Sequence, residues 1–254
     1  HSFDAVPAPQ CWGSNPIFRK SIGLSVTKFY RAAKSLSATN PVMLSYLVDY
    51  HLLPTHQTRG IVYNPFKSSD QDSFRANGKY FLYLGSLDYR RDGKAYLLAI
   101  RKVLEGDSSI RFIFVGTSEE ILSKTLKGFS HKNLVVLPFT SDTTGLIADA
   151  KCLVDIDINE VGDVNISSKL MKYLSTSKPI LCITSENSPS HQMIRVNGLE
   201  DVYVNHHDVD VLMPLMLEID QVNYADNKQV NRNKFKVSHN VNSQVNSLLD
   251  LLQC

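Results

Sequence analysis

Two short segments hold the residue types with the clearest chemical use. In the first, Gly85-Ser86-Leu87 is followed by Arg90, Arg91 and Lys94. Glycine permits close backbone approach and the free amides at a helix start attract anions, so such a loop suits a diphosphate. An ordinary turn from strand to helix has the same composition and needs no ligand. In the second segment, Asn165-Ile-Ser-Ser-Lys-Leu-Met-Lys-Tyr-Leu174, either Ser167 or Ser168 can cap a helix. Lys169 then falls in the first turn, where hydroxyl, amide and ammonium groups converge on a place for an anion. An ammonium group there opposes the helix dipole, so it needs a bound anion or plain solvent. A solvated lysine behind a simple cap is the alternative.

Other candidates are weaker. Asp155, Asp157 and Glu160 follow a strand. Alternation turns Asp155 and Asp157 to one face without specifying a third ligand, so no metal is expected. His206-His207 falls in a connection ahead of a helical run. The cysteines at 11, 152, 182 and 254 form no CxxC pair, which argues against zinc and against a disulfide framework, and fits a reducing, cytoplasmic setting. G-x-G-x-x-G occurs at neither Gly85 nor Gly116, so no NAD or FAD cofactor is expected. The absence of G-x-S-x-G and H-E-x-x-H motifs leaves hydrolase chemistry without support.

The elements that must position these residues are legible from residue 80 onward. Apolar runs at 80–84, 110–115, 133–137, 152–156 and 179–183 read as parallel strands covered on both faces. Helix-compatible stretches at 94–104, 119–126, 143–150 and 167–175 alternate with them, which predicts an α/β fold with a doubly wound parallel sheet. A helix is predicted at 209–217. A last one places Val237, Val241, Val245, Leu248, Leu249 and Leu252 along one face that must dock on something. Upstream, 16–34 and 41–50 read as helices and 59–63 as a strand. Residues 65–79 are polar and turn-rich, the composition of a linker.

The chain has 254 residues and a net charge of only +2, which does not point to nucleic acid. The charge is uneven. Residues 1–64 carry six Lys or Arg against Asp4 and Asp49, while 21 basic and 23 acidic residues follow. Between residues 5 and 48 there is no acid at all, and Arg19, Lys20, Lys28, Arg31 and Lys34 are interleaved with Ile17, Phe18, Ile22, Leu24, Phe29 and Tyr30. Such a helix suits an anionic membrane surface, or packs its apolar residues inward with its cations in water. No apolar run is long enough to span a bilayer. The first residue is His1, with neither an initiator methionine nor a signal-peptide pattern, so the chain is expected to begin partway through a longer protein.

The run Ser167 to Pro179 resembles the "P-S-K-L-x-E-Y-L-A-x-G-K-P" segment of bacterial-type glycosyltransferases of the GT-B fold. Ile61-Val-Tyr-Asn-Pro65 is similar to their interdomain "viyNpvd" element. Tyr83-Leu-Gly-Ser-Leu87 with Gly93-Lys94 is similar to their donor-phosphate loop, and Ile113-Phe-Val-Gly116 to their "l-x-i-v-G" strand. The ordered series covers residues 40 to 185.

The resemblance implies a Rossmann-like donor lobe at 80–220, part of an acceptor lobe at 1–64, a linker at 65–79 and a C-terminal helical segment at 221–254. It implies metal-independent, retaining transfer of a sugar from a nucleoside-diphosphate donor to a saccharide or lipid-linked acceptor. Lys169 is then the catalytic residue that stabilises the leaving diphosphate. Gly85, Ser86, Arg90, Arg91, Lys94, Ser167, Ser168 and Lys172 bind the donor. Ser86 stands where many members have a phosphate-binding arginine, so Arg90 or Arg91 would supply that charge. Lys172 stands where the family usually has a glutamate, whose upstream partner falls on Val164 near Asp163 and Glu160. These departures also fit a non-catalytic binding or assembly partner with a degenerate donor site.

Overall fold

The computed structural model describes residues 15–66, 78–87, 91, 93–106, 109–157, 162–221 and 230–253. The first four elements are α1 (Pro16–Ala32), β1 (Ser35–Ala38), α2 (Pro41–His51) and β2 (Thr58–Ile61). Asn40 caps α2 by accepting the Met43 amide at 2.9 Å, and Pro41 supplies a first residue that needs no amide partner. β1 and β2 pair in parallel, Ser35 with Thr58 through Ala38 with Ile61. Leu36, Ala38, Met43, Leu47 and Leu53 form their core, together with Val164 from far along the chain.

The larger unit alternates strand and helix: β3 (Phe81–Leu84), α3 (Lys94–Glu105), β4 (Phe112–Val115), α4 (Glu119–Thr125), β5 (Leu134–Leu137), α5 (Thr144–Asp149), β6 (Cys152–Ile156), α6 (Ser168–Leu174), β7 (Ile180–Ile183), α7 (Pro189–Val196), β8 (Val202–Asn205) and α8 (Val209–Gln221). All six strands are parallel, in the order β5-β4-β3-β6-β7-β8. Every residue of β3, β4, β6 and β7 is buried, because helices cover both sheet faces. Phe81, Tyr83, Phe112, Phe114 and Val154 pack under α3, α4 and α8. Leu82, Leu84, Leu153, Ile180 and Cys182 pack under α6 and α7. The chain builds outward from β3 to β5 and then restarts beside β3 with β6, so the order reverses between β3 and β6. Such a reversal opens a crevice beyond the carboxyl ends of those two strands.

The sheet expected from the sequence is therefore present, with three corrections. β1, α7 and β8 were not anticipated: Ser35-Leu-Ser-Ala is too polar and short to read as a strand, and the last two are brief. The final helix is two, α9 (Val230–His239) and α10 (Val241–Gln253), broken at Asn240. Its expected apolar face points outward, with Val237 at 69% and Leu252 at 62% exposure, and the buried residues are Arg232, Phe235, His239, Gln244 and Leu251. α10 docks on the small sheet: Ser35 donates to the Leu251 carbonyl at 3.2 Å, and Gln244 accepts the Tyr63 amide at 2.7 Å. Of the expected linker, residues 67–77 lie outside the described residues.

Candidate functional site

The crevice is lined by the loops that leave β3, β4 and β6. Gly85 ends β3 at φ +118°, a conformation that only glycine adopts without strain, and its amide continues the sheet by donating to the Val115 carbonyl at 2.8 Å. Thr117, after β4, donates its hydroxyl to the Gly85 carbonyl at 2.6 Å. Tyr83 donates to the Ser86 carbonyl at 3.0 Å. The start of the loop is held by side chains from β3 and from the turn after β4.

α6 brings its lysine to the same place. Ser167 is the cap, accepting the Leu170 amide at 3.4 Å, and Ser168 is the exposed first residue. Leu170, Met171, Tyr173 and Leu174 bury the helix against the sheet, which fixes where Lys169 points. Its ammonium group lies 4.9 Å over the Tyr83 ring and 3.4 Å from the Tyr83 hydroxyl. A methyl group at Gly85 would come within 3.4 Å of that nitrogen. Ring and ammonium attract through the ring quadrupole, so the cation sits over the bare backbone of the β3 loop.

Beneath it lies Asp155, fully buried near the end of β6, with one oxygen accepting the Ser167 hydroxyl at 2.9 Å. Burial pushes this carboxyl above the ordinary carboxylate range, and Lys169, the Ser167 hydroxyl and Arg91 pull it back. Asp157 accepts from Ser190 at 2.5 Å and ties the start of α7 to the end of β6.

The structure brings Lys169, Gly85, Ser86 and Ser167 together, with Arg91 close enough for its charge to act on Asp155. Ser168 is at the rim. Lys94 is exposed at the start of α3, and Arg90 lies outside the described residues. Lys172 is exposed and donates to Thr143, ahead of α5, at 2.9 Å. Three contributors were missed: Tyr83 and Thr117, which hold the loop, and Asp155, considered only as a metal ligand. A polar side chain at the carboxyl end of an apolar strand was the available signal for each. Among the described residues no group of three His, Cys, Asp or Glu side chains is placed to hold a metal ion, and no helix is long and apolar enough to cross a membrane.

A doubly wound six-stranded sheet with this crevice, preceded by a two-stranded parallel sheet, defines the architecture of the chain. That α/β architecture is shared with glycosyltransferases of the GT-B fold. No protein-family model and no curated protein matches the sequence. Among solved structures the chain is similar to TarM (TM-score 0.71, 12% identity, covering 92% of this chain and 46% of that one). It is also similar to Alr3699/HepE of Anabaena in complex with UDP-glucose (TM-score 0.70, 12% identity, 94% and 69%). A third is WaaG, a glycosyltransferase involved in lipopolysaccharide biosynthesis (TM-score 0.65, 13% identity, 93% and 67%). The chain thus spans about half the length of TarM. At these identities the likeness is one of fold.

Proposed function

We propose that the chain is the donor-binding part of a glycosyltransferase, taking a nucleoside-diphosphate sugar with its diphosphate at the mouth of β3 and β6. One observation carries this: the Lys169 ammonium group stands over the only-glycine conformation of Gly85 at the point where the strand order reverses. A cation above uncovered backbone is what an anionic leaving group requires, since charge grows on the diphosphate as the sugar departs. Lys169 is the catalytic residue in this proposal, Gly85, Ser86, Arg91, Ser167 and Ser168 bind the donor, and transfer is retaining and needs no metal. Lys172 donates to Thr143. The similarity to HepE, described with UDP-glucose, supports UDP as the nucleotide.

The acceptor is a saccharide or a lipid-linked one, met at the cytoplasmic face of a membrane. The outward side of α1 supports that part: Ile17, Leu24, Lys28 and Arg31 follow at helical spacing with Lys20 beside them, and α1 contains no acid. A second reading, donor binding without turnover, is favoured by Ser86 and Lys172, where arginine and glutamate were expected. Ligand-observed NMR with a panel of nucleoside diphosphates tests the site, with UDP expected to bind first and GDP next, at micromolar to millimolar strength. If none binds at millimolar concentration, the donor site is refuted. Hydrolysis or transfer from the donor that binds separates an enzyme from a binding partner.

A further inference from the structure

Asp155 has no place in the donor site as drawn, yet it is the costliest group beneath it. It lies on the sheet face that α6 covers, beside Cys182 in register, in a layer formed by Leu84, Leu153 and Met171. Ionised carboxylates are not kept in such surroundings without compensation. Its Oδ1 accepts the Ser167 hydroxyl at 2.9 Å, and its Oδ2 is buried with no hydrogen-bond partner among the described residues. The groups that face it are Ser167, Lys169 and Tyr173 from α6, Arg91 from the loop after β3, and the Cys182 thiol from β7, which also feels Asp157. Tyr173 and Cys182 are both pushed upward, first by burial, and stay neutral. The cations whose charge favours the ionised form of Asp155 against this burial are Lys169 and Arg91, the two assigned to the diphosphate.

Resting on that donor-site assignment, we propose that binding of a nucleotide sugar moves one proton from solvent onto Asp155. As the two cations engage the diphosphate, its negative charge offsets their field at the carboxylate. Asp155 is left in an apolar layer with a single hydroxyl. Oδ2 takes the proton and Oδ1 keeps Ser167, so α6 stays capped and Lys169 stays aimed. The buffer loses one proton, the complex gains one, and no other bond is made or broken. A group that holds its proton more tightly in the complex favours the complex at lower pH. Affinity therefore rises as pH falls, provided the ligand itself does not titrate. UDP-glucose meets that condition, because its diphosphate is esterified at both ends and lacks the second ionisation near 6 of a phosphate monoester.

The test is calorimetric titration of the whole chain with UDP-glucose in two buffers of different ionisation heat, from about pH 7.5 down to about 5.5. The expected result is net proton uptake within this range, at most about one per ligand, with affinity rising by at most about tenfold per pH unit wherever uptake occurs. Asp155→Asn keeps an oxygen for Ser167 and is expected to bind with no buffer dependence. Should that variant not fold, infrared difference spectra of the unaltered protein are expected to show a new carboxylic-acid C=O stretch when UDP-glucose is added. Binding with equal heats in both buffers, uptake that survives Asp155→Asn, or no new carboxylic-acid band overturns the proton transfer and leaves the donor site standing. No binding at all overturns both.

Discussion

A single ammonium group carries most of the chemistry assigned to this chain, and its worth follows from where α6 holds it. Lys169 is partly buried and lies over Tyr83, so it binds an anion with little further loss of rotamer freedom. Hydrogen bonds to charged groups contribute about 1.5 to 3 kcal/mol. Lys169→Ala is accordingly expected to weaken UDP binding by about that amount, measured by calorimetry, and to lower the melting temperature as well, measured by thermal denaturation, because it also removes a charge that compensates the buried Asp155. Unaltered affinity would make Lys169 an ordinary solvated lysine. Lys169, Ser167 and Gly85 could be read from sequence because lysine behind a serine cap, and glycine after an apolar run, are local patterns. For Tyr83, Thr117 and Asp155 the sequence offered only a polar residue near the end of an apolar strand. Their roles depend on which strands become neighbours, and β3 meets β6 across about 70 residues of chain.

Among the elements, the strands buried on both faces were the most legible, since an apolar run such as Phe-Ile-Phe-Val has few other places to go. The errors came where tertiary contacts overrule composition. β1 has no such run and β8 only Val-Tyr-Val, and the α9 and α10 stripe of valine and leucine faces out because Gln244 and Leu251 fit the small sheet instead. α1 shows the same effect on charge. Arg19 does not point to solvent: its guanidinium lies 5.2 Å over the Tyr50 ring and donates to the Tyr46 hydroxyl at 3.2 Å. Lys20 and Lys28 are the outward cations, beside Ile17 at 81% and Leu24 at 67% exposure, and Arg31 is exposed too but donates its Nε to the His51 carbonyl at 2.8 Å. Each cation near an anionic leaflet is worth about 1 kcal/mol. The chain is expected to co-sediment with phosphatidylserine-containing vesicles at low salt and to release as salt rises. Substituting Lys20, Lys28 and Arg31 with Gln is expected to abolish the binding. Arg19→Gln should leave it intact, and vesicle binding indifferent to salt and to the triple substitution would remove the membrane from α1.

At the scale of the whole molecule, the small and large units are joined at two places, one of them close in sequence to the Ser167 cap. Asn40, at the start of α2, donates to the Val164 carbonyl at 2.8 Å, and Val164 is buried in the core of the small sheet, three residues before Ser167. On the return path, α10 crosses the small sheet, and there the contact depends on a missing side chain. A β-carbon at Gly60, on β2, would stand 3.1 Å from the Leu251 Cδ1 atom, tighter than side chains normally pack. Gly60→Val is expected to push α10 outward at a cost of about 1 to 3 kcal/mol, the usual scale of overpacking. Leu251→Ala alone removes buried methyl groups, and because Leu251 is 9% exposed its cost should fall near the low end of the range for such changes, about 2 kcal/mol. The two sites share one volume, so the alanine makes room for the valine. In urea denaturation followed by circular dichroism, the double variant is expected to be more stable than the sum of the two costs allows, by about 0.5 to 3 kcal/mol. Strictly additive costs would mean that α10 does not rest on Gly60.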